Sequence, residues 1–489
     1  MNRFFGISIA LLLAIVNLSA QDNDFDEFRK QALREFDDFK TTKTKEFNDF
    51  RDKANAEFAE FMQQAWPKFQ AKEPIPIPPS PDPVKPPVVD PQKPPTADPI
   101  PFEEVKPAPQ PVIPPQPVAP IPQPVEPVKQ KLTFLFYQTE CKVSLEPDQK
   151  IVLTNLSEEK IAKAWTQFSQ PEYNALINDC LELRTRLNLC DWGYIQLIQR
   201  LSEKHYNSTT SNAAVVLQMY LLTQSGYKLR IAKSGERLAL LVPSEQIMYA
   251  YTYFNLSGEK YYVIDKSLKG ALFNIFDRAF PNEQTLSLQT KQPYLKQTDT
   301  PVKTYTSIRY PEMKVSVSTN QNLIDFYNAC PVHSAWELYA AASMSEHLKS
   351  ELYPALKKYI AGKSETEAAN QLINFVQTAF EYQTDEEQFG YERPLFADET
   401  FYYPASDCED RAILYSILVR ELLGLDVVLL HYPNHLATAV HFRDDAVSGD
   451  YLMISGKKFI VCDPTYIGAT IGQAMLQFKN VSAGVVRLP

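Results

Sequence analysis

The sequence predicts an α+β protein in which a long helix and a proline-rich segment precede two similar halves. Three observations predict it. Phenylalanine pairs recur every eleven residues near the start of the chain. Prolines then crowd one stretch, with 23 of the 38 between Pro74 and Pro127, so the remainder has the composition of a packed protein. From residue 130 onward, amphipathic helical patterns alternate with short β-branched and aromatic runs, and two pieces of that region align without a gap at an offset of 198 residues.

The first element is MNRFFGISIALLLAIVNLSAQ, with one arginine, an apolar run from Phe4 to Val16 and small residues up to Ala20. This pattern predicts a secretory signal peptide over 1–20. The run is shorter than the roughly 20 residues needed to cross a bilayer, and no later segment is longer and as apolar, so no membrane span is expected. The predicted location is secreted, periplasmic or at the cell surface. Such compartments are oxidising, but six cysteines scattered over 489 residues are too few for a disulfide scaffold. A formal charge of -10 offers no basic surface for phosphate, which argues against a nucleic-acid partner.

Residues 21–72 hold the repeat FDEFRKQALRE, FDDFKTTKTKE, FNDFRDKANAE, FAEFMQQAWPK. One column is Phe25, Phe36, Phe47 and Phe58, continued by Phe69; the other is Phe28, Phe39, Phe50 and Phe61. Eleven residues are close to three helical turns, so both columns lie on one face of a helix with charges opposite. A single helix cannot bury such a stripe. A coiled coil formed by self-association is expected, with docking to a partner as the alternative. Residues 73–129 follow as a proline-rich linker, expected to be an extended polyproline spacer that holds the remainder away from the helix.

The repeat divides the rest into 130–300 and 301–489. At the offset of 198, Ala214 falls on Ala412, Gly226 on Gly424, RLALLV on HLATAV, and YFNLSGEKYYVID on YLMISGKKFIVCD. Upstream, YIQLIQRLSEKHY resembles NQLINFVQTAFEY at an offset of 176, so the second copy carries 22 extra residues before Cys408. Each copy reads as a helix followed by strands. In the second, CEDRAILYSILVRELLG ends at Gly424, then DVVLLHY, HLATAVHF, YLMI and KFIVCD follow, giving a helix packed on an antiparallel sheet.

Cys408 opens that helix, where unpaired amides and the helix dipole favour an anion. His435 opens a strand and Asp463 closes a later one; as antiparallel neighbours they would meet at one sheet edge, where a base and its orienting carboxylate could serve a thiol nucleophile. SDCEDRA, NHLATAV and VCDPT, in the order Cys, His, Asp, resemble the transglutaminase-like superfamily of papain-type cysteine enzymes. The resemblance implies two transglutaminase-like lobes, with Cys408 as nucleophile, His435 as base and Asp463 as the orienting residue. It also implies an oxyanion donor besides the Cys408 amide, with Gln383 and Gln388 as candidates. Ser406 departs from the glycine usual before the Asp-Cys pair. In the first copy Cys408 becomes Thr210 and His435 becomes Arg237, while Asp463 becomes Asp265, so that copy is expected to be non-catalytic.

Among the carboxylates, Glu409 and Asp410 read as first-turn charges stabilising the helix start. The aromatic insertion, including Phe389, Tyr391, Phe396, Phe401, Tyr402 and Tyr403, reads as a wall or lid over the cleft. His431, His435 and His441 with Cys408 and Cys462 would suit zinc, but Pro433 breaks a helical pair, and neither a metal nor another cofactor is expected. The expected activity is attack on an amide or peptide bond through a thioester, with hydrolysis favoured over cross-linking. Its substrate would be a protein, peptide or cell-wall amide. The alternative is a non-catalytic surface or assembly module that binds a peptide or glycan.

Overall fold

The computed structural model describes residues 22–78, 85–90, 96–117, 131–268 and 270–489; the predicted signal peptide lies outside them. The chain is mixed α+β. Helix α1 (Asp22–Met62) and strands β1 (Lys68–Gln70) and β2 (Phe102–Lys106) come first, then the hairpin β3 (Leu132–Phe136) and β4 (Thr139–Val143). Helices α2 (Glu158–Phe168), α3 (Asn174–Arg186), α4 (Asp191–Tyr206) and α5 (Asn212–Gln224) lead into β5 (Arg230–Ser234), β6 (Arg237–Pro243), β7 (Tyr253–Leu256), β8 (Glu259–Val263) and β9 (Leu272–Phe276). A second hairpin, β10 (Lys303–Thr306) and β11 (Lys314–Val317), precedes α6 (Gln321–Asn328), α7 (Trp336–Ala341), α8 (Glu346–Ile360) and α9 (Glu365–Thr378). The insertion forms β12 (Glu381–Tyr382), α10 (Asp385–Phe389), α11 (Ala397–Tyr402) and β13 (Ala405–Ser406). Last come α12 (Cys408–Leu423), β14 (Asp426–Tyr432), β15 (His435–His441), β16 (Tyr451–Ile454), β17 (Lys457–Cys462) and β18 (Ala483–Arg487).

Two six-stranded sheets organise these elements. Their strand orders are β1-β9-β5-β6-β8-β7 and, from the matching edge, β2-β18-β14-β15-β17-β16. The orders correspond position for position, and β6 and β7 span the residues that align with β15 and β16 at the offset of 198. Each sheet packs against an apolar helix. In α12 every residue from Cys408 to Val419 is buried, as expected for a helix surrounded on all sides, and Gly424 ends it at φ +65°, a conformation that needs no Cβ. Among the described residues, no helix is long and apolar enough to cross a membrane.

The proline-rich segment is not a free spacer. Val105 and its neighbours in β2 pair in parallel with β18, at the edge of the second sheet. Just before the linker, β1 pairs with β9 at the equivalent edge of the first sheet. At the opposite edges, Lys72 bridges to Tyr253 and Pro99 to Tyr451, two tyrosines that align in the repeat. Proline removes only its own N–H, and the proline-free run FEEVK keeps its donors, so it can occupy an edge strand.

The helix also differs from the expected 21–72. It stops at Met62 because Pro67 cannot continue it, and Trp66 folds back with its indole N–H on the Met62 carbonyl. Phe69 therefore leaves the helical stripe and joins β1. Of the remaining column, Phe58 is buried against Trp165, Phe276 and Phe280 at ring-centroid distances of 4.8, 5.0 and 5.1 Å. Asn55 and Gln224 exchange two amide hydrogen bonds alongside it. Phe36, Phe39, Phe47 and Phe50 stay exposed. The base of the helix is thus held by the first sheet's helices, and the stripe beyond it faces outward.

Candidate active site

The site is assembled where α12 begins. Cys408 is its first residue, so its amide is one of the unpaired donors of the helix N-terminus. Strand β15 begins at His435, and β15 and β17 are antiparallel neighbours, which brings the end of β17 and Asp463 just beyond it to the same sheet edge. His435 Nε2 lies 2.9 Å from Asp463 Oδ2, with both side chains buried. The other Asp463 oxygen accepts the backbone N–H groups of Thr465 and Tyr466, which fixes the carboxylate. Nε2 being taken, Nδ1 is the ring nitrogen left to serve Cys408, which lines the same cavity. The ring of Phe478 lies parallel to the imidazole at 5.1 Å and holds its plane.

Burial alone would depress the His435 pKa, but the Asp463 charge and hydrogen bond, helped by Cys408, carry it up to about 10. The imidazolium is therefore the favoured form beside the sulfur. That is the arrangement that stabilises a thiolate. Cys408, Glu409, His435 and Asn434 line a cavity of about 200 Å³ with Glu392 and Pro394 of the insertion and Tyr249 of the first sheet's connecting loop. All six cysteines are free thiols.

Compared with protein-family models, curated proteins and solved structures, the chain gives no match. The functional reading rests on this geometry.

The oxyanion candidates are elsewhere. Gln388 is bound at both ends of its amide to the Ala405 backbone, and neither Gln383 nor Gln388 lines the cavity. The insertion walls the cavity through Glu392 and Pro394, and none of its aromatic rings lines it. Phe396 stacks on Tyr327 and Tyr339, and Phe401 packs on Tyr305 and Phe380, all in the core. Thr210 does not sit where its alignment partner does: α5 starts at Asn212 with Ser211 as its cap, so Thr210 precedes the helix, while Cys408 is inside one. Arg237 pairs with Asp265 at 2.9 Å, and all three line a cleft of about 1250 Å³ beside the first sheet.

Sequence reasoning missed three supports. Gln377 donates to the carbonyls of Asp463, Tyr466 and Ala469, tying α9 to the loop that carries the aspartate. Buried Arg411 donates to Ser406, Gln377 and Phe380. The third is a set of buried carboxylates under Cys408. Oxygens of Asp385, Glu392 and Glu409 lie within 4.8 Å of one another, as do those of Asp385, Asp407 and Asp410. Glu409 stands in the first turn as expected, but it is buried, and Cys408 Sγ is 3.0 Å from its Oε2. Asp410 does serve the helix start, accepting from the Asp407 and Leu395 amides.

Burial pushes Asp385 up to about 11 and Asp407 to about 7, and pushes Glu409 and Asp410 well above the usual carboxylate range. Asp385 Oδ1, Glu392 Oε2, both Asp407 carboxylate oxygens and Glu409 Oε1 are buried without a hydrogen-bond donor. So many buried carboxylates need either protons or a cation, and an all-oxygen donor set suits a hard divalent ion such as calcium. The imidazole and thiol groups considered for zinc belong to neither set. His441 is bound to the Lys458 carbonyl, and the Cys462 thiol to that of Ile460.

Proposed function

We propose that this chain is a transglutaminase-like cysteine enzyme with two lobes, the second catalytic and the first a binding copy. The observation that supports it best is the buried His435–Asp463 pair beside Cys408, at a helix N-terminus and in a cavity. The Cys408 thiolate attacks an amide carbonyl, forming the C–S bond and an oxyanion at the helix start. His435 gives its proton to the departing amine as the C–N bond breaks, leaving a thioester. A water, deprotonated by His435, then attacks the thioester carbon and releases the acid and the thiol, with Asp463 holding the imidazole throughout.

On this reading the chain is exported and acts on a protein, peptide or cell-wall amide, and the exposed stripe of α1 serves self-association. Wild type and Cys408→Ala are compared on peptide, glutamine-amide and cell-wall substrates, with ammonia release and primary-amine incorporation read in parallel. Turnover by wild type alone, with water as the main acceptor, is expected. Equal product from both proteins would overturn the proposal and leave a peptide- or glycan-binding module.

A further inference from the structure

The proline-rich segment reaches the catalytic cavity. Ile77 and Pro78 line it together with Cys408 and His435, which are only 2% and 4% exposed. The segment is held on one side by backbone bonds. The Lys72 amide donates to Tyr253, Tyr253 donates back, and Ala250 donates to the Ile75 carbonyl at 2.9 Å. Ala250 makes this last bond from a left-handed backbone, φ +63°, which a residue with a Cβ rarely adopts. Between these anchors and the cavity the chain is extended. Ile75 and Ile77 are half-buried and the alternating Pro74, Pro76 and Pro78 are exposed, so one apolar side chain in two turns inward. The prolines donate nothing, and residues 74–78 carry no charge.

We propose that the catalytic cavity is a cleft for extended peptide with an aliphatic subsite beside Cys408, and that residues 72–78 form a pseudosubstrate strap whose end, Ile77 and Pro78, lies against it. This rests on the function proposed above and narrows its substrate class to peptide. It also makes the strap autoinhibitory, because the segment that walls the cavity must swing out before an extended substrate lies along it. The proline content suits both roles. An extended proline-rich strand is already ordered, so seating it loses little chain entropy, while its missing donors keep the hold one-sided and releasable.

The test reads access to Cys408, not turnover. The second-order rate of iodoacetamide labelling of Cys408 is measured in the full chain, in Ile77→Asp and in Ile77→Leu, with thermal melting of each. A strap closed at least nine-tenths of the time slows access about ten-fold, so Ile77→Asp should label at least about ten times faster while Ile77→Leu stays at the wild-type rate. A tethered strap has an effective concentration in the millimolar range, so a synthetic peptide KEPIPIP at that concentration should slow labelling of Ile77→Asp. An unchanged rate in a folded Ile77→Asp protein overturns the strap, and absence of protection by the peptide overturns the peptide cleft. Should Ile77→Asp fail to fold, Ile77→Ser carries the same comparison. A labelling rate that ignores His435→Ala would count against the proposed chemistry and leave the strap standing.

Discussion

Replacing Asp463 with asparagine keeps the shape of the site and removes the charge that holds the imidazolium. In the native chain His435 is raised to about 10 although burial works against it. Without the carboxylate the two contributions from Asp463 are gone, burial is opposed by Cys408 alone, and the value falls from about 10. The imidazole then gives up its proton more readily and no longer holds a positive charge beside the sulfur. The assay is the iodoacetamide rate at Cys408 between pH 5 and 9. On the proposed mechanism, labelling in wild type stays fast well below pH 8. In Asp463→Asn the rate should follow an ordinary thiol, dropping ten-fold per unit, so that at pH 6 the variant is about 100-fold slower. Stability carries the same signature. A raised histidine stabilises the fold fully below about pH 6.5, and that contribution is lost as pH rises through about 10, so the melting-temperature gap between the two proteins should close across that window. Superimposable labelling profiles would refute the reasoning, because they would mean that the aspartate does not set the state of the histidine.

The carboxylate cluster runs in the same direction with pH, from a lower starting point. Raised carboxylates favour the fold at acid pH and lose that contribution as pH climbs from about 4 through their folded values, so Tm should rise between pH 8 and pH 5, and added calcium should raise it more at pH 8, where protons do not compete; calcium-independent melting at both pH values contradicts this. Phe58→Ala should cost about 3–5 kcal/mol by urea denaturation because its ring fills a core site, whereas Phe47→Ala on the exposed stretch should cost no more than about 0.5 kcal/mol. Gln377→Ala removes the shared donor of three carbonyls around Asp463, so both stability and Cys408 reactivity at pH 6 should fall, with Gln377→Glu unable to rescue either.

Local periodicity made much of this fold readable. The eleven-residue stripe marks α1, alternation marks the strands from 426 to 462, and Gly424 marks the end of α12. The offset of 198 anticipated a shared strand order because it aligned strand on strand. What escaped is what the chain brings together from a distance. Proline density disguised FEEVK as linker, since its identity as a strand depends on β18, nearly 400 residues later. Asp385 and Glu392 carry no signal in the sequence, because nothing local shows that the insertion brings them against Asp407, Glu409 and Asp410 at the start of α12. Gln377 and Phe478 carry no motif at all; their roles come from the loop and the ring they happen to meet.

The most direct measurement is acyl transfer to the sulfur itself. The chain is mixed with p-nitrophenyl acetate at pH 7, quenched in acid and mapped by mass spectrometry. The account predicts a hydroxylamine-labile acetyl group on Cys408 that forms quickly in wild type and is lost in His435→Ala. Acetylation spread over other residues, or an adduct at Cys408 that forms as fast without His435, would contradict it.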